Sequence, residues 1–134
     1  MPKSSKPPRK KQPHERKPRT PSCLESRFVV IWSEVAKDSP KLTTLEAEVK
    51  LPPRKFSYDY KIPGTNILVE CNGGTYARKR LGHSSAEGIA RDYEKSNYAQ
   101  MKGWQVFSFD TRQVNESNLR SLYEYVCKRY PDLV

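Results

Sequence analysis

At 134 residues the chain has room for one ordinary domain and a tail, not for two domains. Its 25 Lys and Arg against 15 Asp and Glu give a formal charge of +10, which favours a negatively charged partner. No apolar run reaches the length of a membrane-spanning helix, and Cys23, Cys71 and Cys127, odd in number and without a CxxC pair, argue against a disulfide framework and a structural zinc site.

Residues 1–21 stand apart. Eight basic residues (Lys3, Lys6, Arg9, Lys10, Lys11, Arg16, Lys17, Arg19) face Glu15 alone, so +7 of the charge sits there, with six of the eleven prolines. So little apolar surface cannot offset chain entropy, and the segment reads as a disordered basic arm ahead of a folded domain over 22–134. It lacks the apolar stretch of a secretory signal. The expectation is a cytoplasmic protein, nucleoid-associated in a bacterial or phage setting, with no membrane partner.

Periodicity begins at Ser22. Ser22-Cys23-Leu24-Glu25 matches a capping box, and Leu24, Phe28, Ile31, Trp32 and Val35 share a face, which predicts a first helix over roughly 22–37 closed by Lys37-Asp38-Ser39-Pro40. Leu45, Ala47, Val49 and Leu51 alternate with polar residues as a strand does, up to Pro52-Pro53. Phe56, Tyr58, Tyr60 and Ile62 alternate likewise with Lys55, Ser57, Asp59 and Lys61. Pro63-Gly64-Thr65-Asn66 has turn chemistry, and Ile67 to Asn72, apolar except for Glu70 and Asn72, reads as an inner strand. Gly73-Gly74 opens a basic loop through Arg78, Lys79, Arg80 and His83. Ser84 and Glu87 make a second capping box for a helix to about Lys102, with Gly103 as its stop. Trp104 to Phe109 is a further buried strand, and a last helix starts near Glu116 and stops before Pro131. Hairpin-linked strands, then a strand reached by a helical crossover, predict an α/β sandwich.

The turn at 63–66 brings two acids into play. If it closes symmetrically, Tyr60 faces Val69 and Asp59 faces Glu70. Opposed carboxylates about 5 Å apart repel by roughly 3 kcal/mol at an effective dielectric of about 20, a cost that a bound divalent cation would convert into a ligand set. Two other readings stay open. The register can slip by one residue and send the acids to opposite faces, or Lys55 or Lys61 can neutralise them as a surface pair. Asn72 shares the face of Glu70, yet Asn72-Gly73 is also a common hairpin pair, and Glu25 has a capping role of its own. Arg91, Lys95 and Lys102, at i, i+4 and i+11, form a cationic stripe on the second predicted helix; it reads as a solvated face or as a phosphate-binding one. No Walker loop, HExxH or GxSxG pattern occurs.

Taken in order, these residues resemble the nuclease core of the PD-(D/E)XK superfamily, in the branch similar to very-short-patch-repair endonucleases. The resemblance rests on an acid in the first helix, Asp59 in the second strand, and the run Glu70-Cys71-Asn72-Gly73-Gly74. Gly82-His83, Asp92-Tyr93-Glu94-Lys95 and Gly103-Trp104-Gln105-Val106-Phe107 follow. It spans about residues 22–112. One departure stands out: Asn72 occupies the position of the superfamily lysine, and Lys95 on the next helix is the substitute. The resemblance implies a three-layer α/β/α restriction-endonuclease-like core with a mixed sheet, and a metal-dependent DNA endonuclease of the repair type. Glu25, Asp59 and Glu70 would hold Mg²⁺ or Mn²⁺, Lys95 would meet the phosphate, and His83 would serve proton transfer or phosphate binding. Arg78, Lys79, Arg80, Arg91 and Lys102 are the expected nucleic-acid contacts, and a homodimer would let so small a nuclease cut both strands. The rival expectation is a non-catalytic nucleic-acid-binding module on the same fold.

Overall fold

The computed structural model describes residues 20–73 and 86–134. The first helix, α1 (Cys23–Val35), starts as its capping box requires, with the Glu25 N–H donating to Ser22 Oγ at 3.1 Å. It is shorter than the periodicity suggested. Pro40 does not merely stop a helix; it opens a short one, α2 (Pro40–Thr43), because a proline at the first helical position lacks only a donor that has no partner there anyway. Trp32 Nε1 donates to Leu42 O at 2.8 Å, and the Ser39 and Tyr123 hydroxyls lie 2.6 Å apart. These tie the connection into the core.

Four strands follow, β1 (Glu46–Lys50), β2 (Ser57–Lys61), β3 (Ile67–Cys71) and β4 (Gln105–Phe109), in the sheet order β1-β2-β3-β4. The first three are antiparallel neighbours; β4 runs parallel to β3. A parallel neighbour needs a crossover, which α3 (Ala86–Met101) supplies. The last helix is α4 (Glu116–Arg129), followed by a 3₁₀ turn at Pro131–Leu133. The α/β architecture with a mixed sheet is therefore the one the patterning predicts. The proposed cap at Ser84 lies outside the described residues, as do Gly82 and the basic loop.

Two apolar clusters lie on opposite faces of the sheet. Phe28 and Trp32 of α1 and Leu119, Leu122 and Val126 of α4 pack with Ile62, Ile67 and Val69 on one face. On the other, Tyr98 and Ala99 of α3 cover Leu51, Tyr58 and Leu68. Phe28, Trp32, Ile62, Ile67, Leu68 and Val126 are fully buried, so helix and sheet periodicities meet in the same two interfaces.

The register of β2 and β3 is set by the turn. Pro63 pre-sets φ at the second turn position, Gly64 takes φ 77° at the third, and the Thr65 N–H donates to Ile62 O at 3.2 Å; this is a type II turn, which asks for glycine there. It yields Lys61↔Leu68 and Tyr60↔Val69, the register of a symmetric hairpin rather than the slipped one.

One feature of β2 departs from simple alternation. Tyr60 lies in the α1/α4 cluster, whereas Tyr58, two residues away and nominally on the same side, lies in the α3 cluster. The strand turns over at Asp59. Its neighbour turns with it, since Leu45 packs on the α1/α4 side and Val49 on the α3 side. Glu48, between the Ala47↔Tyr60 and Val49↔Tyr58 pairs, takes a φ of 52°, a left-handed conformation uncommon for a residue with a Cβ.

Candidate active site

Beyond Tyr60↔Val69 the β2–β3 ladder gives way to side chains. The Asp59 N–H donates to Glu70 Oε1 at 3.2 Å, and the Cys71 N–H donates to Asp59 Oδ2 at 2.8 Å. Each acid thus accepts a backbone N–H from the opposite strand. This exchange falls where β2 turns over, at Asp59. The opposition expected from the turn is realised as this reciprocal exchange.

Lys95 closes the third side. Its Nζ lies 3.0 Å from the Glu70 carboxylate and 4.9 Å from the centre of the Tyr58 ring. Tyr58, fully buried, donates its hydroxyl to Lys95 O at 2.7 Å, so one residue supports both the backbone and the ammonium of Lys95. Alternation along β2 alone assigns Tyr58 to the sheet core. Nothing local signalled a second role, because the contact depends on where α3 crosses the sheet. Neither Lys55 nor Lys61 neutralises the acids: Lys61 pairs with Glu46 at 3.2 Å, and Lys55 lies in a separate groove.

Burial pushes the Glu70 carboxyl up to about 7, and the charge of Asp59 adds to the rise, while Lys95 opposes it. The Cys71 thiol is pushed up to about 12 by burial and then by Asp59, Glu25 and Glu70. It therefore stays protonated near neutral pH. It also locates Glu25, a buried residue of α1, within electrostatic reach of the Asp59–Glu70 end of the sheet. The approach is close: a Cβ on Gly73 would stand 3.0 Å from Leu24 Cδ2, so a side chain at 73 would require the Leu24 side chain to shift.

Glu70 and Lys95 open onto a cleft of about 320 Å³ whose walls also include Asn72, Asp92, Tyr93 and Ser108. The Asn72 N–H donates to Phe109 O at 2.8 Å, so Asn72 prolongs the β3–β4 pairing. Of the expected site residues, Asp59, Glu70 and Lys95 come together. Arg91 stands one turn before Lys95 on α3, and Lys102 is engaged elsewhere, its Nζ 3.3 Å from Pro52 O. His83, Arg78, Lys79 and Arg80 lie outside the described residues. Among the described residues no group of three or more His, Cys, Asp or Glu side chains is arranged to hold a metal, so Glu25 is near the pair without completing a cluster. No described helix is long and apolar enough to cross a membrane.

No protein-family model matches the chain, and no curated protein matches it. Among solved structures it is similar to one titled "Homing Endonuclease I-Bth0305I Catalytic Domain", with 13% sequence identity, a TM-score of 0.52, and coverage of 85% of this chain and 99% of that one. At that identity the likeness concerns the fold: a four-stranded mixed sheet flanked by helices, shared with the catalytic domain of a homing endonuclease.

Proposed function

We propose that the protein is a divalent-metal-dependent DNA endonuclease that hydrolyses phosphodiester bonds at the Asp59–Glu70–Lys95 site. One observation carries the reading: two acids from neighbouring strands each accept a backbone N–H from the other strand, and a lysine lies 3.0 Å from one of them, Glu70, in a shared cleft. The fold shared with a homing endonuclease catalytic domain supports it.

The donor chemistry suits Mg²⁺ or Mn²⁺. Magnesium takes oxygen ligands and is held by one or two carboxylates, with water and substrate phosphate filling the remaining positions, so two acids suffice. Asp59 and Glu70 would hold the ion, with Glu25 as an outlying acid. Bound there, a divalent ion supplies Lewis acidity toward the phosphodiester. Lys95 does the rest of the electrostatic work. Its ammonium, supported by Tyr58, stands beside the acids, where it meets the extra negative charge that a phosphate gains in the transition state. Glu70, held up toward neutrality by burial, favours any cation that arrives.

Asp59→Asn and Glu70→Gln should each abolish Mg²⁺-dependent nicking of plasmid DNA by the purified protein while duplex binding in EDTA survives. The amide oxygens can still accept the backbone N–H bonds, so the fold should hold. Full nicking by both variants would remove these residues from the site. Binding without nicking by the parent protein would favour a non-catalytic module.

A further inference from the structure

A second groove lies beside the cleft lined by Glu70. It has a volume of about 630 Å³ and lies between the β1–β2 loop and α3. Four cations, Arg54, Lys55, Arg91 and Lys95, line it against one carboxylate, Asp92. Asp92 and Lys95 also line the Glu70 cleft, so the two spaces adjoin at Lys95.

Its loop wall is tied to α3. Tyr98 donates to Leu51 O at 3.1 Å and accepts from the Arg54 N–H at 3.5 Å, and Lys102 donates to Pro52 O at 3.3 Å. Arg54 is held in turn, its guanidinium 4.5 Å from the Phe56 ring centre and 2.7 Å from Glu94. A groove whose walls are fixed before a ligand arrives loses little entropy on binding it. The cations also select the ligand. Because Arg54 already lies over the Phe56 ring, that ring face is not open to a stacked base, and what remains is positive charge.

We propose that this groove binds a backbone phosphate next to the one at Lys95, held chiefly by Lys55 and Arg91, and so sets the path of the nucleic-acid strand along α3. The proposal rests on the nuclease reading for the identity of the strand, but its measurement does not require cleavage. Contacts of this kind position a strand without reading its bases, so the contribution is the same for unrelated sequences.

The test uses the full chain in EDTA and fluorescein-labelled duplexes of two unrelated sequences, with anisotropy followed across a salt series. The variant K55A/R91A removes two exposed cations from the groove, and R120A/K128A removes two exposed cations from α4 on the opposite face of the sheet. With two phosphates no longer neutralised, the log–log salt slope should fall by about 1.8 in the groove variant, alike for both duplexes, and stay unchanged in the α4 variant. An equal fall in both variants, or none in the groove variant, would overturn the proposal. The nuclease reading fails separately: a groove-specific slope change with no Mg²⁺-dependent cleavage by the parent leaves the phosphate site standing and removes the enzyme, while cleavage with an unchanged slope removes the groove alone.

Discussion

Glu70 carries a pH signature. Its folded-state carboxyl is raised from an ordinary 4.5 to about 7, so between those values the folded protein holds a proton that the unfolded chain has released. Stability from this group is therefore fully present below about pH 4.5 and is lost as pH rises through 7, by roughly 3 kcal/mol in all. Glu70→Gln has no proton to lose. In EDTA, wild-type stability relative to that variant should decline from pH 4.5 to 8, as read from paired urea or thermal unfolding curves. Parallel curves would mean that Lys95 keeps Glu70 ionised throughout. Adding Mg²⁺ at pH 8 should recover part of the loss in the wild type alone, because a ligand that binds only the folded state stabilises it.

At the scale of the element, α3 gives different partners to lysines that helical spacing groups together. The i, i+4, i+11 spacing places Arg91, Lys95 and Lys102 on one side of the helix, and that side faces the β1–β2 loop and the acids. Their tasks differ. Lys95 reaches Glu70, whereas Lys102 anchors Pro52 and lies 5.4 Å from the Tyr98 ring centre. Lys95→Ala should cost a hundredfold or more in single-turnover cleavage, about 3 kcal/mol of transition-state stabilisation, with duplex affinity little changed. Lys102→Ala should leave cleavage within a few-fold and instead lower the melting temperature by a few degrees. Lys95→Arg is the informative control: it keeps the charge, but its planar fork must fit where an ammonium sits over Tyr58. Equal mild losses in the two alanine variants would make α3 a backbone-binding helix only.

Across the whole molecule the charge is lopsided, with +7 of the +10 in residues 1–21. Deleting 1–21 leaves Ser22 as the cap of α1, so the domain should melt as before. Duplex affinity should fall for all sequences, and the salt slope should drop by about 0.9 for each phosphate that the arm had neutralised. An unchanged slope would assign the arm to something other than DNA. The groove and the arm should contribute independently, because one belongs to a fixed wall and the other to a segment without core-forming residues.

The elements were legible in the sequence because their signals are local. Ser22 and Glu25 mark the start of α1, alternation marks the strands, and Pro63-Gly64 makes the type II turn that sets Tyr60 opposite Val69. That turn also carried the pairing of Asp59 with Glu70, since a register, once set, fixes every residue along two strands. What the tertiary structure alone decided is how the hairpin meets its neighbours. Period-two alternation cannot show that β2 turns over at Asp59, parting Tyr58 from Tyr60. Nor can helical spacing tell Lys95 from Lys102, because their partners, Glu70 and Pro52, lie 25 and 50 residues away in the chain. The physical reason is the same in both cases: a pattern in sequence records which side a residue takes, whereas its partner depends on where one layer crosses another.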